Sequence, residues 1–213
     1  MRTRVAGVLL AAGEGSRFGQ PKALIELDGQ TLAERGVDML LAGGADPILV
    51  VTGAAQVELD PETPETPKAP GHQIRIVYNS EWRTGMGSSL RTALESAAVL
   101  HPDVAAVVVA LADQPLVGPP AVARLIAAYR AGASVAVAAY QGKPRNPVLL
   151  ACEHWPEVIA TATGDQGARA FLRARPDLVT LIECGDTGCP DDIDTTADLD
   201  RIAGHQRGSE PPL

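Results

Sequence analysis

Aromatic side chains are scarce in this sequence: phenylalanine, tyrosine and tryptophan together make up 3% of its 213 residues. Apolar residues still reach 46%, so a sizeable core must be built from alanine, valine, leucine and isoleucine. Cysteine is scarce too, and its count of three is odd. In a chain of this length, that count argues against a disulfide framework and favours a reducing compartment, the cytoplasm.

Positive charge is also in short supply, with 18 lysines and arginines against 26 aspartates and glutamates. The formal net charge of −8 repels a phosphate backbone at long range, so no nucleic-acid partner is expected. No apolar run approaches the roughly 20 residues of a membrane helix, and no membrane partner is expected. The run Val5–Ala12 imitates part of a signal peptide, but it is short, and a buried strand explains the same residues.

Short apolar runs alternate with helical patterns along the chain. This alternation predicts strands at Val5–Leu10, Pro47–Thr52, Ile74–Tyr78, Val104–Leu111, Ser134–Ala139, Val148–Leu150 and Leu178–Glu183. It predicts helices at Thr31–Ala42, Ser88–Leu100, Ala121–Tyr129, Ala168–Ala174 and Thr196–Ala203. Because the strand runs are apolar on both faces, we expect a single-domain α/β fold with helices on both sides of a mostly parallel sheet. Such folds bind ligands at the carboxyl edge of the sheet.

Two segments fall outside this alternation. Residues 60–71 are rich in proline and glutamate, which predicts a flexible surface loop within the domain. Residues 206–213 are predicted to form a disordered tail. The folded domain is therefore expected to span residues 1–205.

The polar loop after the first strand, Gly13–Lys22, points to a ligand. A dinucleotide-binding fingerprint requires a third glycine where Phe18 stands, and a Walker A loop fails on its spacing as well. The small residues Ala11–Gly15 nevertheless let the backbone approach a ligand, and successive N–H groups can surround an anion. Arg17 and Lys22 add two cations, so the loop is predicted to bind phosphate groups.

Three aspartates are candidate metal ligands. Asp113 follows a long apolar strand and is either a site residue at the sheet rim or a turn residue. Asp192 and Asp194 alternate along an extended segment, so both side chains are expected on one face. Asp194 is alternatively the N-cap of the last helix, although Thr195 can take that position. Mg²⁺ prefers oxygen ligands and keeps several waters, so one or two carboxylates suffice.

Five stretches in order along the chain resemble a known superfamily: "LLAAGEGSRFGQPKAL" (9–24), "GMGSSL" (85–90), "LADQP" (111–115), "GDQGAR" (164–169) and "DIDTTADL" (192–199). Together they resemble the MobA-like nucleotidyltransferases, and most closely the molybdenum cofactor cytidylyltransferases. The resemblance implies a Rossmann-like three-layer sandwich of the nucleotide-diphospho-sugar transferase type.

The resemblance also implies roles for individual residues. Catalysis is expected from Arg17, Lys22 and Asp113, and Mg²⁺ is expected on Asp113 and Asp194. The nucleotide is expected to contact Leu10, Ala11, Ala12, Gly13, Gly15, Ser16, Arg17, Lys22, Gly85, Gly87, Ser88, Ser89 and Asp113. The acceptor is expected at Gln114, Arg145, Asp165, Arg169 and Asp192. Without the resemblance, Ser88 and Asp165 are equally interpretable as N-caps of helices.

One stretch departs from the pattern of these cytidylyltransferases. Arg145 and Asn146 stand where the relatives have glycine and histidine, within Lys143–Pro147, which we interpret as a loop that adds two cations. This departure bears on the identity of the acceptor and not on the chemistry expected at the nucleotide.

The implied activity is Mg²⁺-dependent transfer of a nucleotidyl group to a phosphorylated acceptor such as molybdopterin, with release of pyrophosphate. Ala12 favours CTP as the donor, because the guanylyl-transferring relatives usually have glycine there. A molybdoenzyme is a further expected partner. Two other functions are retained: an NAD(P)H-dependent oxidoreductase of a small heterocycle, and a chaperone that loads cofactor into a molybdoenzyme.

Overall fold

The computed structural model describes residues 4–57, 59 and 73–207. The predicted loop 60–71 and residues 208–213 of the predicted tail lie outside these ranges. In chain order the elements are β1 (Arg4–Leu10), β2 (Glu26–Leu27), β3 (Gln30–Thr31), α1 (Leu32–Ala42), β4 (Ile48–Thr52), β5 (Ile74–Tyr78), α2 (Met86–Leu100), β6 (Val104–Leu111), α3 (Pro119–Arg130), β7 (Val135–Tyr140), β8 (Lys143–Ala151), α4 (Trp155–Thr161), α5 (Arg169–Ala174), β9 (Val179–Glu183) and α6 (Thr196–Arg207).

Seven strands form one sheet in the order β5-β4-β1-β6-β8-β7-β9, and β2 pairs with β3 in a small hairpin. Every neighbouring pair in the large sheet is parallel except the two pairs that include β8. The predicted α/β fold with a mostly parallel sheet is therefore confirmed.

The central strands are buried on both faces, as their valine- and alanine-rich sequences require. All residues of β4 and β7 are buried, and so are all but one in β1 and β6. One face of the sheet packs with α1 and α3 into a single apolar cluster, and the other face packs with α2, α4 and α5. These three layers leave the carboxyl edge of the sheet open. None of the helices in the described ranges is both long and apolar enough to cross a bilayer.

Two elements correct the sequence interpretation. The stretch Lys143–Pro147 is not a loop, because β8 begins at Lys143. A two-residue turn precedes it, in which Gln141 and Gly142 have φ of 54° and 73°. Positive φ at both turn residues matches the twist of a tight hairpin and lets β8 begin at once. Helix α4 was not predicted, because it has seven residues and a proline in its first turn.

Backbone hydrogen bonds continue beyond the strand ends and gather the segments of the site. The amide of Ala11 donates to Val51 (2.9 Å), and the amide of Ala112 donates to Leu10 (3.1 Å). The amide of Ile193 donates to the carbonyl of Asp113 at 2.8 Å. Together with the bond from the amide of Ala54 to the carbonyl of Ala12 (3.2 Å), they hold the segments that follow β1, β4 and β6, and the segment before α6, at one place on the carboxyl edge.

Candidate functional site

A cavity of about 600 Å³ opens at the carboxyl ends of β1 and β6. It lies between the loop after β1 and the start of α2. Of the residues predicted to bind ligands, it is lined by Leu10, Ala11, Ala12, Gly13, Lys22, Gly85, Ser89, Asp113 and Asp165. The position agrees with the rule that open α/β sheets hold ligands at this edge.

Lys22 is the centre of a charged cluster at the edge of this cavity, which is lined by Lys22 and Asp113 but not by Asp194. Its Nζ lies 2.9 Å from Asp113 Oδ2 and 2.6 Å from Asp194 Oδ1, and 19% of the side chain is exposed. Burial alone lowers the pKa of Lys22, but its interactions with Asp113 and Asp194 outweigh this effect and raise the pKa. The ammonium group therefore stays charged and holds two carboxylates that are far apart in sequence.

The loop that delivers Lys22 is shaped by Gly15. This glycine is buried with φ of 60°, and its carbonyl accepts hydrogen bonds from the amides of Phe18 (2.7 Å) and Gly19 (3.0 Å). A Cβ at this position would lie 2.1 Å from the carbonyl oxygen of Gln20. Gly15 thus shapes the turn of the loop and does not itself line the cavity.

Two other predicted residues of the loop also lie outside the cavity lining. Ser16 is exposed. The side chain of Arg17 is 75% exposed, and its guanidinium lies 3.5 Å from Asp194 Oδ2. Among the described residues, Arg17 therefore contacts the charged cluster through Asp194 alone.

Two aspartates near the start of α6 have different roles. Asp198 belongs to the helix cap, and Asp194 contacts Lys22. Thr195 caps α6, since its hydroxyl accepts from the amide of Asp198 at 3.3 Å and Asp198 accepts from the amide of Thr195 at 2.9 Å. This reciprocal arrangement satisfies the helix end. The side chain of Asp194 is consequently not the N-cap and is available to Lys22.

Asp192 and Gln114 form a second pair beside Asp113. The side-chain amide of Gln114 donates to Asp192 Oδ1 at 2.8 Å and to the carbonyl of Pro190 at 3.0 Å. Desolvation, and next the charge of Asp113, raise the pKa of the Asp192 carboxyl. The two predicted acceptor residues therefore contact each other next to the metal-ligand candidates.

The serines at the start of α2 hold the end of β5 to this helix. The side-chain amide of Asn79 donates to Ser88 Oγ (2.9 Å) and Ser89 Oγ (3.0 Å). Ser88 Oγ donates to the carbonyl of Gly85 at 2.8 Å, so Ser88 is not the N-cap, and it does not line the cavity. Gly87 also lies outside the lining, because it packs on Ala162, whose carbonyl carbon would lie 2.8 Å from an added Cβ.

The remaining predicted acceptor residues are dispersed. Asp165 lines the cavity beside Gly85. Arg169 is exposed at the first position of α5. Arg145 is exposed in β8, and its guanidinium donates to the carbonyl of Pro144 at 3.2 Å. Neither arginine lines the cavity.

Sequence reasoning assigned no role to seven residues that line the cavity. These are Glu14, Ala23, Trp82, Arg83, Met86, Leu111 and Ala112. Trp82 and Arg83 belong to a short 3₁₀ turn before α2, which carries no repeat or charge pattern of its own. One signal in the sequence could have indicated this part of the cavity wall. Trp82 is one of two tryptophans in the chain, and it stands three residues before the Gly-Met-Gly that begins at Gly85.

The charged cluster suits a magnesium ion. No group of three metal-ligating side chains is present among the described residues. Mg²⁺, however, is commonly held by one or two carboxylates with phosphate oxygens and water completing its shell. Asp113 and Asp194 supply two carboxylates around a single point, now taken by the Lys22 ammonium. The donor set fits the ion together with a phosphate-bearing ligand.

Comparison with known proteins places this geometry in a family. The MobA-like NTP transferase domain matches residues 7–179. Nicotine blue oxidoreductase of Paenarthrobacter nicotinovorans is 38% identical over 212 residues, which cover 93% of this chain and 96% of that protein.

Solved structures agree in fold. The homologue of Mycobacterium tuberculosis Rv0371c from Mycobacterium sp. strain JC1 superimposes with a TM-score of 0.77 at 30% identity, covering 99% of this chain and 100% of that one. A manganese complex of Rv0371c from M. tuberculosis H37Rv has a TM-score of 0.69 at 26% identity and covers 96% of this chain and 100% of that one. The chain belongs to the MobA-like NTP transferase family.

Proposed function

We propose that this protein transfers a cytidylyl group from CTP to the terminal phosphate of a small acceptor such as molybdopterin and releases pyrophosphate. The supporting observation is the Lys22 ammonium held between Asp113 and Asp194 at 2.9 and 2.6 Å, at the mouth of a cavity bounded by a glycine-containing loop. One cation and two carboxylates around one point suit the binding of a polyphosphate together with a divalent ion.

In this mechanism an oxygen of the acceptor phosphate attacks the α-phosphorus of CTP. The bond from that phosphorus to the bridging oxygen breaks, and pyrophosphate leaves with the electron pair. The nucleophile is already anionic, so no general base is needed. Lys22 and Arg17 bind the phosphates and neutralise charge, and the exposed backbone at Gly13 lets the triphosphate approach the loop.

Asp113 and Asp194 are the residues that would hold the divalent ion. When bound, it supplies Lewis-acid stabilisation of the charge that develops on the α-phosphate. The manganese complex of Rv0371c, a related protein of the same fold, supports a divalent ion for this chain. Gln114 and Asp192, which lie next to Asp113, are proposed to face the acceptor, as are Arg145 and Arg169.

A thermal-shift panel tests the proposal. The ligands are CTP, GTP, ATP, UTP and NADPH, each with and without Mg²⁺. At 100 times its Kd, a ligand stabilises the folded state by about 2.7 kcal/mol, which corresponds to about 5–10 °C for a chain of this size. We expect this shift for CTP with Mg²⁺ and none for NADPH. A shift confined to NADPH would overturn the proposal.

A second candidate is an NAD(P)H-dependent oxidoreductase of a small heterocycle. The observation that favours it is the 38% identity, over 93% of this chain, to a protein named as nicotine blue oxidoreductase. Against it stands the β1 loop, which has no third glycine of a dinucleotide fingerprint. Oxidation of NADPH followed at 340 nm, with a quinone-like heteroaromatic dye as acceptor, distinguishes the two functions. The oxidoreductase would also be insensitive to Asp113→Asn.

A further inference from the structure

Three charged residues, Glu14, Arg83 and Asp165, line the cavity without the ion pairs that neutralise Lys22. Arg83 and Asp165 both lie in the cavity wall. Among the described residues, neither side chain has a hydrogen-bonded partner or forms an ion pair, and the two do not pair with each other. Lys22 in the same cavity is bonded to two carboxylates. Outside the loop after β1, which carries Glu14, the cavity thus contains one donor group and one acceptor group that are left for a ligand.

The loop that carries the exposed Asp165 side chain packs tightly on the backbone at the start of α2. A Cβ added to Gly85 would lie 2.5 Å from the carbonyl carbon of Gly164 and 2.7 Å from Asp165 Oδ1. The Arg91 guanidinium donates to the carbonyl of Ala162 at 3.0 Å and fastens the same loop to α2. This loop therefore has a defined position against α2, and the carboxylate stands directly beside the backbone of Gly85.

The guanidinium of Arg83 is held on an aromatic ring. Its Cζ lies 4.3 Å from the centroid of the Trp82 ring, a favourable cation–π distance. Trp82 is in turn fitted against the end of β4, because a Cβ added to Gly53 would lie 2.5 Å from Trp82 Cβ. A guanidinium whose face lies on an aromatic ring keeps the N–H donors along its edge available to a ligand in the cavity.

We propose that Asp165 and Arg83 recognise the cytosine base of CTP, and that Trp82 supports Arg83 in this role. The inference rests on the proposed function. The Asp165 carboxylate accepts a hydrogen bond from the 4-amino group, and the Arg83 guanidinium donates to N3 and O2. Uracil has a carbonyl oxygen at position 4 instead, and the carboxylate of Asp165 repels the partial negative charge of that oxygen. Asp165 is thereby assigned to the nucleotide rather than to the acceptor, where the sequence placed it.

The test measures the dissociation constants of CTP and UTP, each with Mg²⁺, by calorimetry. Asp165→Asn and Arg83→Gln are compared with the wild type. The controls are Glu95→Gln and Arg130→Gln, which remove the same charges from exposed positions on α2 and α3. Circular dichroism and the Tm check that every variant is folded.

We expect Asp165→Asn to reduce the preference for CTP over UTP by about tenfold, the effect of losing one hydrogen bond to a charged group. Arg83→Gln should weaken CTP binding by a similar factor, and both controls should match the wild type. If the wild type binds CTP and the preference is unchanged in Asp165→Asn, base recognition by this residue is refuted while the proposed transfer stands. If the wild type binds neither CTP nor UTP, the proposed function itself is refuted.

Discussion

At the scale of single residues, Lys22 is the residue on which the site depends. Its ammonium group is the only contact that the structure shows joining Asp113 to Asp194 among the described side chains. Arg17 contacts the same Asp194 at a longer distance and from solvent. The two cations of the loop are therefore expected to contribute very differently to stability and to binding.

We predict that Lys22→Met lowers the free energy of unfolding by about 2 kcal/mol, because two partly buried carboxylates lose their charged hydrogen-bond partner. CTP affinity should fall with it. Arg17→Gln is the matched comparison and should change stability by less than about 0.5 kcal/mol, as expected for an exposed ion pair. Urea unfolding and nucleotide titration measure both effects. Equal destabilisation by the two variants would contradict the central position of Lys22.

A second prediction separates Asp194 from its neighbour Thr195. Thr195→Ala should cost about 1 kcal/mol of stability, the usual effect of losing an N-cap, and leave nucleotidyl transfer largely intact. Asp194→Asn should leave the helix cap unchanged and abolish transfer. Urea unfolding and a pyrophosphate-release assay on both variants test the assignment. Unchanged stability in Thr195→Ala would contradict its assignment as the N-cap of α6.

The sequence predicted the residues of the charged cluster but not the whole cavity wall. Lys22, Asp113 and Asp194 stand in motifs, so a resemblance can identify them. Trp82 and Arg83 lie in an irregular turn, and only folding brings that turn against Gly53. The choice between Asp194 and Thr195 as N-cap also required the structure, because both residue types are strongly preferred at N-caps.

At the scale of elements, the start of α2 is fixed by its glycines. Gly87 in this helix leaves no room for a side chain, since an added Cβ would lie 2.7 Å from the amide nitrogen of Thr163. Gly13, in the loop after β1, has no atom within 4 Å of an added Cβ. One glycine thus serves packing between two elements, while the other faces open space in the cavity.

We predict opposite outcomes for the corresponding alanine variants. Gly87→Ala should lower stability by about 1–3 kcal/mol, the usual cost of overpacking. Gly13→Ala should unfold at the same urea concentration as the wild type but bind CTP more weakly, because a methyl group enters the space proposed for the triphosphate. Unfolding curves and calorimetry decide between them. Unchanged CTP affinity in a stable Gly13→Ala would move the triphosphate away from this loop.

The ion pair between α3 and the segment after β9 supplies a prediction on pH. The Arg124 guanidinium donates to both carboxylate oxygens of Asp186, at 2.6 and 2.7 Å, and this contact lowers the pKa of Asp186 to about 2. The folded state therefore gains stability from this carboxylate above its ordinary pKa, and the gain is lost as the pH falls towards 2.

Asp186→Asn should accordingly have a lower Tm than the wild type at pH 7. The difference should narrow between about pH 4 and pH 2, where the wild-type carboxylate becomes protonated. Thermal unfolding across this range tests the expectation. A difference that stays constant with pH would show that the pair contributes through packing rather than charge.

The strongly apolar elements could be predicted from sequence, and the polar ones could not. The runs that became β1, β4 and β6 contain almost only apolar residues, and burial on both faces leaves few alternatives. β8 begins with a lysine, two prolines, an arginine and an asparagine, which together favour a loop. Its pairing depends on the turn at Gln141 and Gly142, whose amides donate to the carboxylate of Glu183 (3.0 and 3.1 Å), a residue far along the chain.

At the scale of the whole molecule, the fold brings the ends of the sequence to one edge of the sheet. Lys22 and Asp194 are separated by 172 positions and hydrogen bond at 2.6 Å. The alternation of strands and helices predicts a layered α/β fold, and the ordered motifs predict the family. Neither predicts the antiparallel insertion of β8 between β6 and β7, because strand order follows from packing and not from local pattern.

The most direct measurement of the central claim is the release of pyrophosphate from CTP and Mg²⁺ with molybdopterin as the acceptor. Wild type, Asp113→Asn and Asp200→Asn, an exposed aspartate of α6, are compared after their folding has been checked. We predict release by the wild type and by Asp200→Asn, and a loss of at least about 100-fold in Asp113→Asn, as expected when a charge-stabilising group is removed. Near-normal release by folded Asp113→Asn, or no release by the wild type while it oxidises NADPH, would contradict the account.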